Sequence, residues 1–143
     1  MTALLAALAL ASFRPAPGWT VERVATQPGL VVAVTRADER VIHPFTLFGS
    51  FKRLSRDGVL VWAMTLGRHR QHFPVRSQWP PRLPSFSVQR GWEGQPAPNV
   101  QQRVWIAVVG GWDLDVRVYF ATQHPSRPLL AAAQRELDRL QLP

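Results

Sequence analysis

The sequence predicts an α+β fold: a twisted antiparallel β-sheet of about five to seven strands with a C-terminal helix packed on one face. Three observations carry this expectation. Gly110-Gly111 separates two nine-residue runs, 101–109 and 112–120, as a tight hairpin turn would. Shorter apolar runs bounded by Gly and Pro precede that hairpin. After residue 126 the apolar spacing lengthens to the period of a helix.

In chain order, "MTALLAALALAS" (1–12) is an apolar run about as long as a signal-peptide core, and Ala9-Leu10-Ala11 before Ser12 has the small-x-small form of a cleavage site. The other reading is an Ala/Leu helix that stays on the protein and packs on the sheet. The run is too short to span a bilayer, and no other segment is expected to do so. "FRPAPG" (13–18) reads as an extended linker. The expected organisation is residues 1–18 as an N-terminal segment with linker, and 19–143 as a single α+β domain large enough to bury one core.

Residues 20–26 and 29–36 read as two strands about the Gln27-Pro28-Gly29 break, and 38–48 as a strand interrupted at Pro44. Residues 58–66 (GVLVWAMTL) are apolar on both faces, as a central strand is. Phe86–Trp92 alternates, with Phe86 and Val88 opposed to Ser87 and Gln89. A two-residue turn at Gly110-Gly111 pairs Val109 with Trp112, Ala107 with Leu114, Trp105 with Val116 and Arg103 with Val118. Trp112, Leu114, Val116, Val118 and Phe120 then share one face, and Asp113, Asp115, Arg117 and Tyr119 the other, where the two Asp read as a solvated face. The closing helix has Ser126 as N-cap and Pro128 in its first turn. Its apolar stripe is Leu130, Ala133, Leu137 and Leu140, with Arg135, Asp138 and Arg139 opposite.

Composition narrows the partners. The chain has no Cys, which removes disulfides, thiolate catalysis and Cys-based zinc sites. A net charge of +8 comes from 16 Arg and Lys52 against nine acids. Arg in place of Lys, beside 13 Pro, is the signature of GC-rich coding, yet the field it produces still favours an anionic surface or an anionic protein partner.

The densest positive segment is "GRHRQHFPVRSQWPPRLP" (67–84). Its candidate partner-binding residues are Arg68, His69, Arg70, His72, Arg76, Trp79 and Arg82, with guanidinium groups for anions, Trp79 for interfacial contact and prolines as stiffeners. Lys52, Arg53 and Arg56 form a second cluster. The plain alternative is a solvated connection with Trp79 in the core. No helix-turn-helix or RNP-like strand accompanies the loop, which argues against nucleic acid.

No nucleophile elbow, Walker loop or dinucleotide fingerprint is present, and His69 and His72 beside Pro74 in Arg-rich surroundings do not suit a metal. No catalytic residue, cofactor or metal site is therefore expected, and the leading reading is a non-enzymatic binding module. The alternative is an enzyme acting on an anionic or carbohydrate substrate through Glu93, Asp113, Asp115 and a His, with His43 and His124 as candidates. The loop "WEGQPAPN" (92–99) belongs to that alternative, since an acid beside an aromatic suits a sugar; otherwise Trp92 caps the core.

At "DGVLVWA", "WEGQP" and "LDVRVYFATQHPSRPLLAAAQRELDRL" the chain resembles small uncharacterised proteins of GC-rich actinobacteria, many of them exported or membrane-attached. The likeness covers about residues 57–140. It implies an exported or envelope-associated location, a cytoplasmic one being the alternative. It implies no activity, cofactor or binding residue.

Overall fold

The computed structural model describes residues 11–14, 16–24, 27–35, 54–68, 79–90 and 99–142. Two short strands and one large sheet carry it. β1 (Ser12–Phe13) pairs antiparallel with β8 (Leu140–Gln141). The large sheet contains β2 (Trp19–Val24), β3 (Gln27–Thr35), β4 (Val59–Arg68), β5 (Ser87–Arg90), β6 (Gln101–Val109) and β7 (Trp112–Phe120), in the order β2-β3-β4-β7-β6-β5. Every neighbouring pair in it is antiparallel. Among the described residues one α-helix, α1 (Arg127–Leu137), lies against the sheet. The expected strand at 38–48 and residues 1–10 lie outside the described residues.

The β6–β7 hairpin forms in the expected register: Val109 opposite Trp112, Ala107 opposite Leu114, Trp105 opposite Val116 and Arg103 opposite Val118. Gly110 and Gly111 have φ of 59° and 80°, the pair of positive values that a type I′ turn requires and that side chains with a Cβ resist. β4 runs between β3 and β7, so its apolar character on both faces has a direct cause: both faces are buried. On the helix side, Val61 and Ala63 join Val31, Leu114, Val116, Phe120, Trp105 and Leu137 in one cluster. On the far side, Leu60 and Trp62 join Leu30, Val32, Val34 and Tyr119 in a second.

Several local readings change. β5 begins at Ser87, and Phe86 is the residue that follows a 3-10 turn at Leu83–Ser85. Phe86 is buried against Trp105, whereas Val88 on the edge strand is 57% exposed. The helix stops at Leu137, because the chain turns at Asp138 and pairs as β8; Leu140 still enters the core, but from a strand. Residues 13 and 14, expected to open a linker, are part of the fold: Phe13 is buried with Leu137 and Leu140, and the Arg14 amide donates to the Arg139 carbonyl. Ala11 is buried as well; its amide donates to Thr65 Oγ1 and its carbonyl accepts from Arg23. Ser126 caps the helix as expected, its Oγ accepting from the Leu129 amide at 3.4 Å.

Candidate functional site

Of the residues proposed for the basic loop, Arg68 closes β4, its backbone paired with Trp112. His69, Arg70, His72 and Arg76 lie outside the described residues. Trp79 and Arg82 are described, and they differ in kind. Trp79 is half-buried, its ring 6.3 Å from that of Trp105, and Leu83 and Phe86 follow it into the same core. Arg82 is exposed and reaches Asp138 at 3.5 Å, a surface pair of little energetic weight.

Gln134 of α1 holds this end of the loop. Its Oε1 accepts from the Leu83 amide at 2.8 Å, and its Nε2 donates to the Pro81 carbonyl at 3.2 Å and to Asp138 Oδ1 at 2.9 Å. Those bonds satisfy backbone groups of a Pro-rich segment that has no sheet partner. The far end of the loop is therefore tied to core and helix together, with Arg82 left facing water.

The two aspartates on β7 occupy a different setting from the solvated face expected of them. Asp113 is 1% and Asp115 is 5% exposed. The far face is apolar, so a charge placed there needs a partner. Arg117 supplies it for Asp115, with Nε to Oδ1 and Nη2 to Oδ2 both at 2.9 Å. The same guanidinium stacks over Trp62, 4.9 Å from the ring centroid, and Trp62 Nε1 donates to Tyr119 Oη at 3.0 Å. Asp113 is also engaged. Beside this row sits Gln102, paired in register with Tyr119, 1% exposed, with neither amide atom hydrogen-bonded. The i, i+2 carboxylates are both buried and engaged here, Asp115 with the Arg117 guanidinium.

His124 follows the opposite end of β7. Asp115 pairs with Met64, roughly 16 Å of strand from Phe120, whereas His124 shares a lining with Thr35 and Val59 at the Phe120 end. The structure thus does not bring His124 to Asp113 or Asp115. Glu93, His43, Lys52 and Arg53 lie outside the described residues, as does Trp92.

What the fold does bring to His124 is Arg56. β3 and β7 end, and β4 begins, at the same edge of the sheet, next to the first turns of α1. There an open cleft of about 700 Å³ has Val59, Leu129 and Ala132 as its apolar wall and Arg56, Asp57 and His124 among its polar residues. An adjoining cavity of about 350 Å³, reaching Asn99 and Gln123, shares Arg56, Thr122 and His124 with it. Arg56 stands in the turn closed by the Gly58 amide on the Ser55 carbonyl at 2.8 Å, and Asp57 accepts from Ser55 Oγ at 2.9 Å. Among the described residues Arg56 has no carboxylate partner. The His124 amide donates to Thr122 Oγ1 at 3.2 Å, which fixes the turn that carries the imidazole.

No signal along the chain pairs Arg56 with His124, 68 positions apart, because only the antiparallel return of β7 beside β4 joins them. A buried acid was legible in principle. Glu136 is three residues after Ala133 and one before Leu137, on the edge of the apolar stripe, and it is 0% exposed.

No known protein family matches the chain, and neither a curated protein nor a solved structure matches it. Fold and site together define an α+β antiparallel-sheet domain. No helix among the described residues is long and apolar enough to cross a membrane.

Proposed function

We propose that the protein is a non-enzymatic binding module at the cell envelope, which meets an anionic surface or protein partner through the basic segment 67–84. One observation carries this reading: Trp79, Leu83 and Phe86 lock the end of the segment into the core while Gln134 clamps its backbone. A loop held in this way loses less conformational freedom on binding than a free one. Its cationic residues, in a chain of net charge +8, supply the attraction. The enzyme reading is weaker because Asp115 is already paired with Arg117 and stands apart from His124.

Lipid headgroups provide the direct test. Vesicles of phosphatidylglycerol with phosphatidylcholine are titrated with the wild type and with a variant carrying Arg68→Gln, Arg70→Gln, Arg76→Gln and Arg82→Gln. Each cation close to an anionic bilayer contributes about 1 kcal/mol, so the quadruple variant is expected to bind on the order of a hundredfold more weakly or worse. Its salt dependence should flatten as well, because screened contacts have been removed. Equal binding by the two proteins, with equal salt dependence, would remove the loop from the proposal.

A further inference from the structure

The cleft at the sheet edge is separate from the basic loop, and its chemistry is two-sided. Val59, Leu129 and Ala132 offer an apolar wall, and a volume of about 700 Å³ is in the range of small-molecule sites. Where the two cavities meet, Arg56, which has no carboxylate partner among the described residues, and His124 line the same space together with Thr122. An arginine fork left without a carboxylate is suited to receive one, in a planar two-bond geometry. Asp57 beside Arg56 is engaged elsewhere, so Arg56 is the cation the lining offers, enough to balance one negative charge.

We propose that this cleft binds a small molecule with an apolar body and a single carboxylate, the carboxylate between Arg56 and His124 and the body against Val59, Leu129 and Ala132. The turn at 55–58 and the Thr122–His124 bond fix the backbone that carries the two head-group residues. This site is independent of the loop reading, since no residue of 67–84 is among those named here.

Phenylbutyrate, phenylbutanol and phenyl phosphate, titrated into the isotope-labelled full chain and followed by amide chemical shifts, test it. Phenylbutyrate is expected to shift amides at 56–59 and 122–132 in a saturable way. Phenylbutanol should bind at least about tenfold more weakly, because it lacks the charge that pairs with Arg56. Phenyl phosphate should also bind more weakly than phenylbutyrate, because Arg56 balances only one of its two negative charges. Arg56→Ala is an exposed change expected to leave the fold intact and to weaken phenylbutyrate about tenfold. Ala132→Leu should weaken all three compounds by filling the apolar wall. The loop variant Arg82→Gln should leave the titration unchanged, which separates this site from the vesicle result. The proposal is overturned if no shifts appear at millimolar phenylbutyrate or if they fall elsewhere. Phenylbutanol or phenyl phosphate binding as tightly as the acid, or an unaltered affinity in Arg56→Ala, would equally overturn it.

Discussion

A carboxyl group shut away from water without a hydrogen-bond partner keeps its proton to higher pH, and Glu136 is in that position. Burial pushes its pKa up from 4.5 to about 7, against smaller opposing effects of the Arg139 guanidinium and the Ala16 backbone amide, which lies near without closing a good hydrogen bond. Unfolding returns the group to its ordinary range. The contribution to stability is therefore complete below pH 4.5 and is lost as pH rises through about 7. The full shift corresponds to roughly 3 kcal/mol as an upper limit. The seal is thin, since Arg14, Pro17 and Arg139 are exposed, so a smaller loss is expected. Urea unfolding of wild type and Glu136→Gln between about pH 5 and pH 8 measures it, and only the wild type should lose stability over that interval. Parallel profiles would mean that another group titrates. Trp79 supplies a second prediction at this scale. Half-buried against Trp105, it should cost roughly 2 to 3 kcal/mol as Trp79→Ala, less than a fully buried Trp and more than a surface one. A change within about 0.5 kcal/mol in the same urea assay would show that the ring is not held by the core.

Among the elements, the β6–β7 hairpin is the most strongly specified. Its alternation places Leu114, Val116, Val118 and Phe120 on the helix side, and a slip of one residue would bring Asp115 and Arg117 into that core. The turn enforces the register, with both glycines at positive φ and open space where each Cβ would stand. Replacing both with Val therefore costs backbone strain rather than a clash, expected at roughly 2 to 6 kcal/mol for the pair. A circular-dichroism melt that did not move would contradict the turn geometry. α1 is specified by weaker local signals, its cap at Ser126 and its stripe, and the stop at Leu137 shows what overrode them. Leu140 and Gln141 gain a strand partner in β1, whose residues lie more than 120 positions earlier in the chain. Periodicity within the segment carries no information about so distant a neighbour.

At the scale of the molecule, β1 and β8 tie the two ends of the described chain together beside α1. Phe13 is the anchor, 5% exposed in the same cluster as Leu137 and Leu140. Phe13→Ala is expected to cost about 3 to 5 kcal/mol and to lower hydrogen-exchange protection in the sheet as well as in α1. Loss of protection confined to residues 11–14 would show instead that the small sheet opens by itself. The sequence by itself determined β2 to β7 in outline, the hairpin register and the helix cap, because each follows from period, turn chemistry or capping within a few residues. Tertiary structure alone decided three things. The far face of the sheet is buried, so Asp115 pairs with Arg117, whose guanidinium lies over Trp62, where alternation had implied water. The 79–86 segment packed inward through Trp79 and Phe86, with Gln134 as its clamp. Arg56 met His124 at one edge, where the ends of three strands converge. Alternation already related Asp115 to Arg117, but Trp62 beneath Arg117, Gln134 on the 81–83 backbone and Arg56 beside His124 join residues that no local pattern relates, and chain closure over the sheet is what brought them within reach.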